Sequence, residues 1–248
     1  MRELLKLVRI EFRKLRRKKL LWLMLLSAFI MPFFAFLYFN YFGETGIEPV
    51  AFYKWSAFGL TMFIILPFVL GVLCTILMYN EQRFDMLKHL WIVPVSRLGY
   101  FFSKFFVVLI YSVCFMLITA IASVLFSVLP GYVVFEWGSI FFLLKKCLEI
   151  ALFTAFAMLP MLAIAAVQKS YIMSVCVTLI YAFAGFFMIP INMYIHPLSC
   201  VSVIIARNGD IPGLTLPQTV HITMAFLCIF LWSFAATLFA MVILSRRK

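Results

Sequence analysis

Six stretches of almost uninterrupted apolar residues, at 20–42, 57–79, 100–129, 141–167, 171–191 and 220–244, alternate along the chain with short polar connections. A helix rises about 1.5 Å per residue, so crossing a hydrocarbon core of roughly 30 Å takes about 20 residues. Each stretch reaches that length. Their length and their lack of period-two alternation predict helices rather than the strands of a barrel. Leu, Ile, Phe and Val each favour insertion by about 0.3–0.6 kcal/mol at a helix centre, whereas one central charge costs about 2.5–3.5 kcal/mol. The scarcity of charge inside the six stretches therefore predicts an all-α integral membrane protein with six transmembrane helices.

Two polar segments carry a helical pattern of their own. At 100° per residue, Leu4, Leu5, Leu7, Val8, Phe12 and Leu15 fall on one side of residues 1–19, and Lys6, Arg9 and Arg13 on the other. This predicts an amphipathic interface helix along the membrane surface. Glu11 breaks the pattern between Leu7 and Leu15, either in a local pair with Lys14 or reaching across to another element. The second segment, residues 80–95, reads as a short surface helix. Asn80 is placed to cap it and Glu81 falls in its first turn, where the helix dipole favours an anion. Phe84, Leu87, Leu90 and Trp91 make its apolar face, and Glu81, Gln82, Asp85, Lys88 and His89 its polar face. Pro94 stops it, and Ser96 is placed to cap the next long helix. On periodicity alone the alternative is an ordinary amphipathic linker.

Composition agrees with the membrane reading: the chain is 66% hydrophobic, 12% charged and has a mean hydropathy of +1.13 over 248 residues. Of its 21 basic residues, seventeen lie in the amino-terminal segment, the second and fourth connections and the carboxyl terminus. Only Lys54, Lys145, Lys146 and Arg207 remain for the other side. By the positive-inside rule both termini and residues 80–95 are expected in the cytoplasm. The net charge of +12 is then a topology signal hugging the ends of spans, and a nucleic-acid partner is not expected. The first apolar stretch is too long for the core of a cleavable signal peptide and reads as an anchor. Six dispersed cysteines without C-x-x-C pairs read as small packing residues, and His89, His196 and His221 lie too far apart in sequence to suggest a metal site.

The order of a basic leader, RIEFRKLRRKKLLWL, then two spans joined by NEQRFDMLKHLWIVPVSRLGYFFSK, resembles the ABC type-2 permease family, the membrane subunits of class V ATP-driven exporters. Glu81, Leu87, Lys88, Pro94, Ser96, Arg97 and Lys104 match the family's pattern in order. Chains with a short basic leader are most similar to permeases of lantibiotic and bacitracin self-protection exporters. The resemblance implies that the segment around Glu81, Arg83, Phe84, Asp85, Leu87, Lys88 and Trp91 is a coupling helix docking on a separate ATPase. It implies also that the leader, with Arg9, Glu11 and Arg13, is the interface helix beside it. No G-x-x-x-x-G-K-[ST] occurs, so the chain itself is expected to bind no cofactor and not to be an enzyme. ATP and Mg would be bound by the partner ATPase. A second permease chain, identical or homologous, and membrane lipids complete the expected partners.

Residues 190–219, interrupted by Pro190, Pro197, Pro212 and Pro217, are too apolar for a solvated loop and predict a re-entrant extracellular segment. It is either a gate or an interfacial cap. Lys145, Lys146 and Glu149 at the outer end of the fourth span either pair among themselves or contact substrate. Lys145, Glu149, Pro197, Arg207 and Asp210 are the candidate substrate or gate residues. Few ionisable side chains lie within spans, which argues against a proton- or sodium-coupled carrier, and no H-E-x-x-H or G-x-S-x-G signature suggests a protease. Thirty Phe and fourteen Met suit an adaptable apolar surface for an amphipathic substrate, or serve helix packing alone. Ala151, Ala155, Ala163, Ala165 and Ala166 offer a close helix approach, within the chain or at a dimer seam. The expected whole is the permease of a bacterial exporter moving a peptide antibiotic or lipid-like molecule. The competing expectation is a non-transporting membrane sensor or scaffold that recruits a cytoplasmic regulator.

Overall fold

The computed structural model describes residues 2–16, 18–42, 46–83, 96–168, 170–209 and 219–246. Among them six helical segments are long and apolar enough to cross a membrane: Lys19–Phe42, Pro49–Tyr79, Arg97–Val128, Trp137–Ala165, Tyr171–Ile191 and Ile222–Ser245. No strand occurs among the described residues. All six expected spans are present, preceded by a leader helix, Arg2–Leu15. The end of the bundle that carries the leader and the last helix's carboxyl end is called the basic end below.

Burial sorts the spans. The second, third and fourth are 56–67% buried and form the centre, while the first, fifth and sixth, at 22–28%, turn most of their surface outward. Leu20, Trp22, Ile180, Phe187, Phe230 and Leu231 are among the exposed side chains, as expected of helices surrounded by lipid rather than water. The third span runs for 32 residues. At about 1.5 Å per residue it exceeds the bilayer core and carries its first turns beyond it. Ser96 caps it, its hydroxyl accepting from the Gly99 amide at 3.1 Å, as the sequence predicts. A side chain at Gly99 would collide with that hydroxyl at 2.8 Å.

Boundaries differ from expectation where proline intervenes. The second span begins at Pro49, not at residue 57, and its first half is wound as π-turns at Lys54–Phe58 and Thr61–Ile65. Thr61 donates to the Ser56 carbonyl at 3.0 Å, serving backbone that the wider winding loosens. The fourth span begins at Trp137 and breaks at Met158 because Pro160 has no amide for the Phe156 carbonyl. Ser233 of the sixth span donates to that carbonyl at 3.4 Å, and Tyr181 of the fifth donates to Ala157 at 2.6 Å. Pro32 likewise leaves the Ala28 carbonyl without its helical donor, and Thr119 of the third span reaches it at 3.4 Å. Hydroxyls from neighbouring helices thus satisfy backbone that a bilayer cannot.

Small residues set the crossings. Gly71 lies so close to the fifth span that a Cβ there would sit 2.1 Å from the Thr178 methyl. Four residues on, Thr75 and Ser174 hydrogen-bond across the same crossing at 2.8 Å. Ala151, Ala155, Ala163, Ala165 and Ala166 are all buried within this one chain. That corrects the alternative that they form a dimer seam, since their surface is already covered by neighbouring helices.

After Ile191 the chain turns back into the bundle. The His196 ring packs 4.4 Å from the ring of Tyr181, ten residues earlier than the end of the fifth span, and the short helix Pro197–Ile205 follows with every residue buried. His196 caps this helix, its Nδ1 accepting from the Leu198 amide at 3.2 Å. Trp232 of the sixth span donates to the Ile195 carbonyl at 3.0 Å, satisfying the irregular strip before it.

Candidate functional site

At the basic end the leader, the second span and the third span are joined by charge. Lys104, fully buried in the third span, directs its ammonium at Glu81 Oε2 (2.9 Å), Glu11 Oε1 (3.4 Å) and the Leu77 carbonyl (3.2 Å). Its three donors find three acceptors. Lys14 of the leader bridges the same two carboxylates, at 2.7 Å to Glu81 and 3.2 Å to Glu11. The Tyr100 hydroxyl donates to Glu81, and the Tyr100 ring lies 4.8 Å from the Lys104 ammonium. Two acids and two bases make the cluster electrically neutral, the condition under which buried charge is tolerated.

Electrostatics follow from this arrangement. Burial alone would raise the Glu81 carboxyl, but Lys104, Lys14 and the Tyr100 hydroxyl together pull it down to about 2. Burial would lower the Lys14 ammonium, yet its hydrogen bonds and charge pairing with Glu81 and Glu11 hold it above the usual lysine value. Both groups stay charged at neutral pH.

The leader presents a face different from the one its periodicity suggests. Glu11 and Leu15 are buried and Val8 packs on the core, while Leu5 and Phe12 are exposed beside Arg9 and Arg13. The buried face is centred on Glu11 because its carboxylate answers Lys104. Both sequence alternatives for Glu11 are realised at once: it pairs locally with Lys14 and across to the third span.

Glu81 lies where a separate helix was expected to begin, and the structure corrects that boundary. The helix Leu66–Arg83 runs through Asn80 without a cap, because each amide there still has a carbonyl one turn earlier. Glu81 is therefore in the last turn of this long helix, two residues beyond the span, and faces inward at 3% exposure rather than lying on a polar docking face. Arg83 is the helix's last residue. Phe84, Asp85, Leu87, Lys88 and Trp91 lie outside the described residues.

A second polar cluster lies at the opposite end. Arg207 pairs with both oxygens of Glu149, at 2.9 and 3.0 Å, and donates to the Ile204 carbonyl at 2.8 Å. Lys146, buried beside the Phe142 ring, donates to the Ile205 carbonyl at 2.9 Å. Two cations thus meet the carboxyl end of the helix Pro197–Ile205, where the helix dipole is negative. Glu149 was expected to pair with Lys145 or Lys146; its carboxylate is held at both oxygens by Arg207, whose guanidinium is brought down by the returning chain. Lys145 is exposed, Pro197 is buried in the first turn of the short helix, and Asp210 lies outside the described residues. Sequence reading paired Lys14 with Glu11 but missed Tyr100 and the Leu77 carbonyl as partners in the cluster, and it noticed Lys104 only as part of the family pattern; a lone lysine in an apolar helix was the signal available.

Among the described residues no group of three or more His, Cys, Asp or Glu is arranged to hold a metal. The basic-end cluster can transmit force: three helices meet at it, and none can move far without separating opposite charges. A search of curated proteins finds no match to the chain. A family model described as ABC-2 family transporter protein matches residues 7–185, from the leader through most of the fifth span and including the whole charge cluster. The matched stretch is the greater part of the chain, which therefore belongs to the ABC-2 transporter family as a membrane-spanning permease subunit whose ATPase is a separate partner.

Proposed function

We propose that the chain is the permease of an exporter that moves an amphipathic peptide antibiotic or a lipid-like molecule out of the membrane, as in lantibiotic and bacitracin self-protection. The basic end, with both termini, faces the cytosol. There residues 80–95, through Arg83, Phe84, Asp85, Leu87, Lys88 and Trp91, dock on the ATPase, which binds ATP and Mg. A second permease chain completes the assembly within bacterial cell-membrane lipids. The opposite end, with Lys145, Glu149, Pro197, Arg207 and Asp210, is the exit region.

The observation that carries this reading is the position of Glu81, at the amino-terminal edge of the docking segment and bonded to both the leader and the third span. A push on residues 84–95 is passed through the last turn of the long helix to Glu81, and from there to Lys104 and Lys14. Arg9 and Arg13, exposed beside Glu11, give the leader a second cationic face toward the ATPase. An apolar groove of about 590 Å³ between the first and second spans, lined by Phe34, Tyr38, Tyr41, Trp55 and Leu60, suits a lipid-like cargo better than an ionic one.

Co-reconstitution with the ATPase tests the reading. Asp85→Lys is expected to weaken ATPase capture several-fold. Lys104→Met is expected to leave capture intact and to abolish stimulation of hydrolysis by a lantibiotic or bacitracin. Parental stimulation in Lys104→Met would remove the cluster from the coupling path; no stimulation of the parent by any such peptide would overturn the cargo.

A further inference from the structure

The groove between the first and second spans follows the first from Met31 to Phe42, all of it regular α-helix. At about 1.5 Å per residue that stretch is roughly 16 Å long, about half of a hydrocarbon core of roughly 30 Å. Phe42 ends the first span at the end of the bundle opposite the leader, so the groove opens there and closes near the midplane. Its depth is that of one leaflet. Phe34, Tyr38, Tyr41, Trp55 and Leu60 are exposed along it, and the small, buried Ala35 leaves it room.

A cation stands at its mouth. Tyr38 stacks on Trp55 with ring centroids 5.3 Å apart, and the Lys54 ammonium lies 5.9 Å from the Trp55 ring. Lys54 follows directly on the opening turn Pro49–Tyr53 of a 31-residue span, longer than the core requires, so its ammonium reaches headgroup level. Lys146 and Arg207 at the same end each have a protein acceptor, whereas no carboxylate or carbonyl bonds Lys54 among the described residues. A cation held beside an apolar trough one leaflet deep matches an amphiphile with one negative headgroup and a straight chain.

We propose that this groove is a binding site for one anionic phospholipid of the outer leaflet, its acyl chain laid along the first span and its phosphate on Lys54. The site deepens the transport reading and rests on it for the leaflet, which follows from placing the basic end in the cytosol. Selection is by headgroup charge: a zwitterionic lipid carries its own cation to the same place and gains less from Lys54.

The test is quenching of Trp55 by brominated acyl chains, in nanodiscs of the full chain whose other four tryptophans are replaced by Phe. Brominated phosphatidylglycerol is expected to quench Trp55 at about fivefold lower mole fraction than brominated phosphatidylcholine. Lys54→Gln is expected to remove that preference and Lys54→Arg to keep it. A chain retaining Trp137 alone, exposed at the same end beside Glu136, is expected to show none. Equal quenching by the two lipids would overturn the site, as would an undiminished preference in Lys54→Gln or the same preference at Trp137. Quenching by neither lipid would mean that another occupant, such as a second copy of the chain, fills the groove. Release of the lipid by inorganic phosphate alone would overturn the role of the acyl chain. Neither ATPase nor peptide is present and both leaflets have the same composition, so loss of the preference leaves the transport reading standing. Conversely, failure of peptide-stimulated hydrolysis leaves the lipid site standing.

Discussion

Replacing Lys104 by Met keeps the length of the side chain but leaves Glu11 and Glu81 to share Lys14 alone. Breaking a buried pair by removing one partner typically costs about 3–5 kcal/mol, because the surviving charge stays buried. Lys104→Met is therefore expected to lower the unfolding midpoint in detergent strongly, and Glu81→Gln similarly. The double variant Glu81→Gln/Lys104→Met should cost less than the sum of the two, and additive losses would show that the charges do not act as a pair. The sign with pH follows from the depressed carboxyl. Glu81 contributes stability that is fully present above the unfolded value near 4.5 and is lost as pH falls through about 2. Thermal unfolding at pH 7, 4 and 3 should show this decline in the parent and a smaller one in Glu81→Gln. A parallel decline in both would place the acid sensitivity elsewhere.

At the scale of elements, the crossing of the second and fifth spans admits no side chain at Gly71. Gly71→Ala is expected to destabilise by about 1–3 kcal/mol, as overpacking does, and Thr178→Ala on that background to recover part of the loss by removing the methyl 2.1 Å away. No recovery would mean that the spans can part without penalty. The spans themselves were legible from run length alone, because hydropathy acts locally and every residue of a run votes the same way. The break at Met158 was not read, although Pro160 stood in the sequence, since a proline in an apolar run tells nothing about which neighbour will serve the freed carbonyl. Asn80 followed by Glu81 resembles a helix start, but an amide already bonded one turn back needs no cap. The pairing of Lys104 with Glu81 and Glu11 joins residues 23 and 93 positions apart, and such separations leave no trace in a periodicity.

For the molecule as a whole, seventeen of 21 basic residues lie in the terminal segments and in the second and fourth connections, which share an end of the bundle. The orientation proposed above makes a direct expectation for intact cells. With the native cysteines removed, a cysteine at Lys6 should resist a membrane-impermeant maleimide and one at Glu48 should react with it. The reverse pattern would invert the protein and turn the proposed exit region toward the cytosol. Both positions are exposed, so failure to label cannot be laid to burial in the fold.

The hydroxyls and the indole that serve broken helices also set an order of assembly. The Ala28 carbonyl of the first span meets Thr119 only when the third has been made, and the Phe156 and Ile195 carbonyls meet Ser233 and Trp232 only with the sixth. During synthesis the earlier spans therefore enter the bilayer with backbone still unserved, and the last to emerge completes them. A ribosome stalled before residue 222 would release a chain with five greasy helices and an unseated strip, a natural target for membrane quality-control proteases.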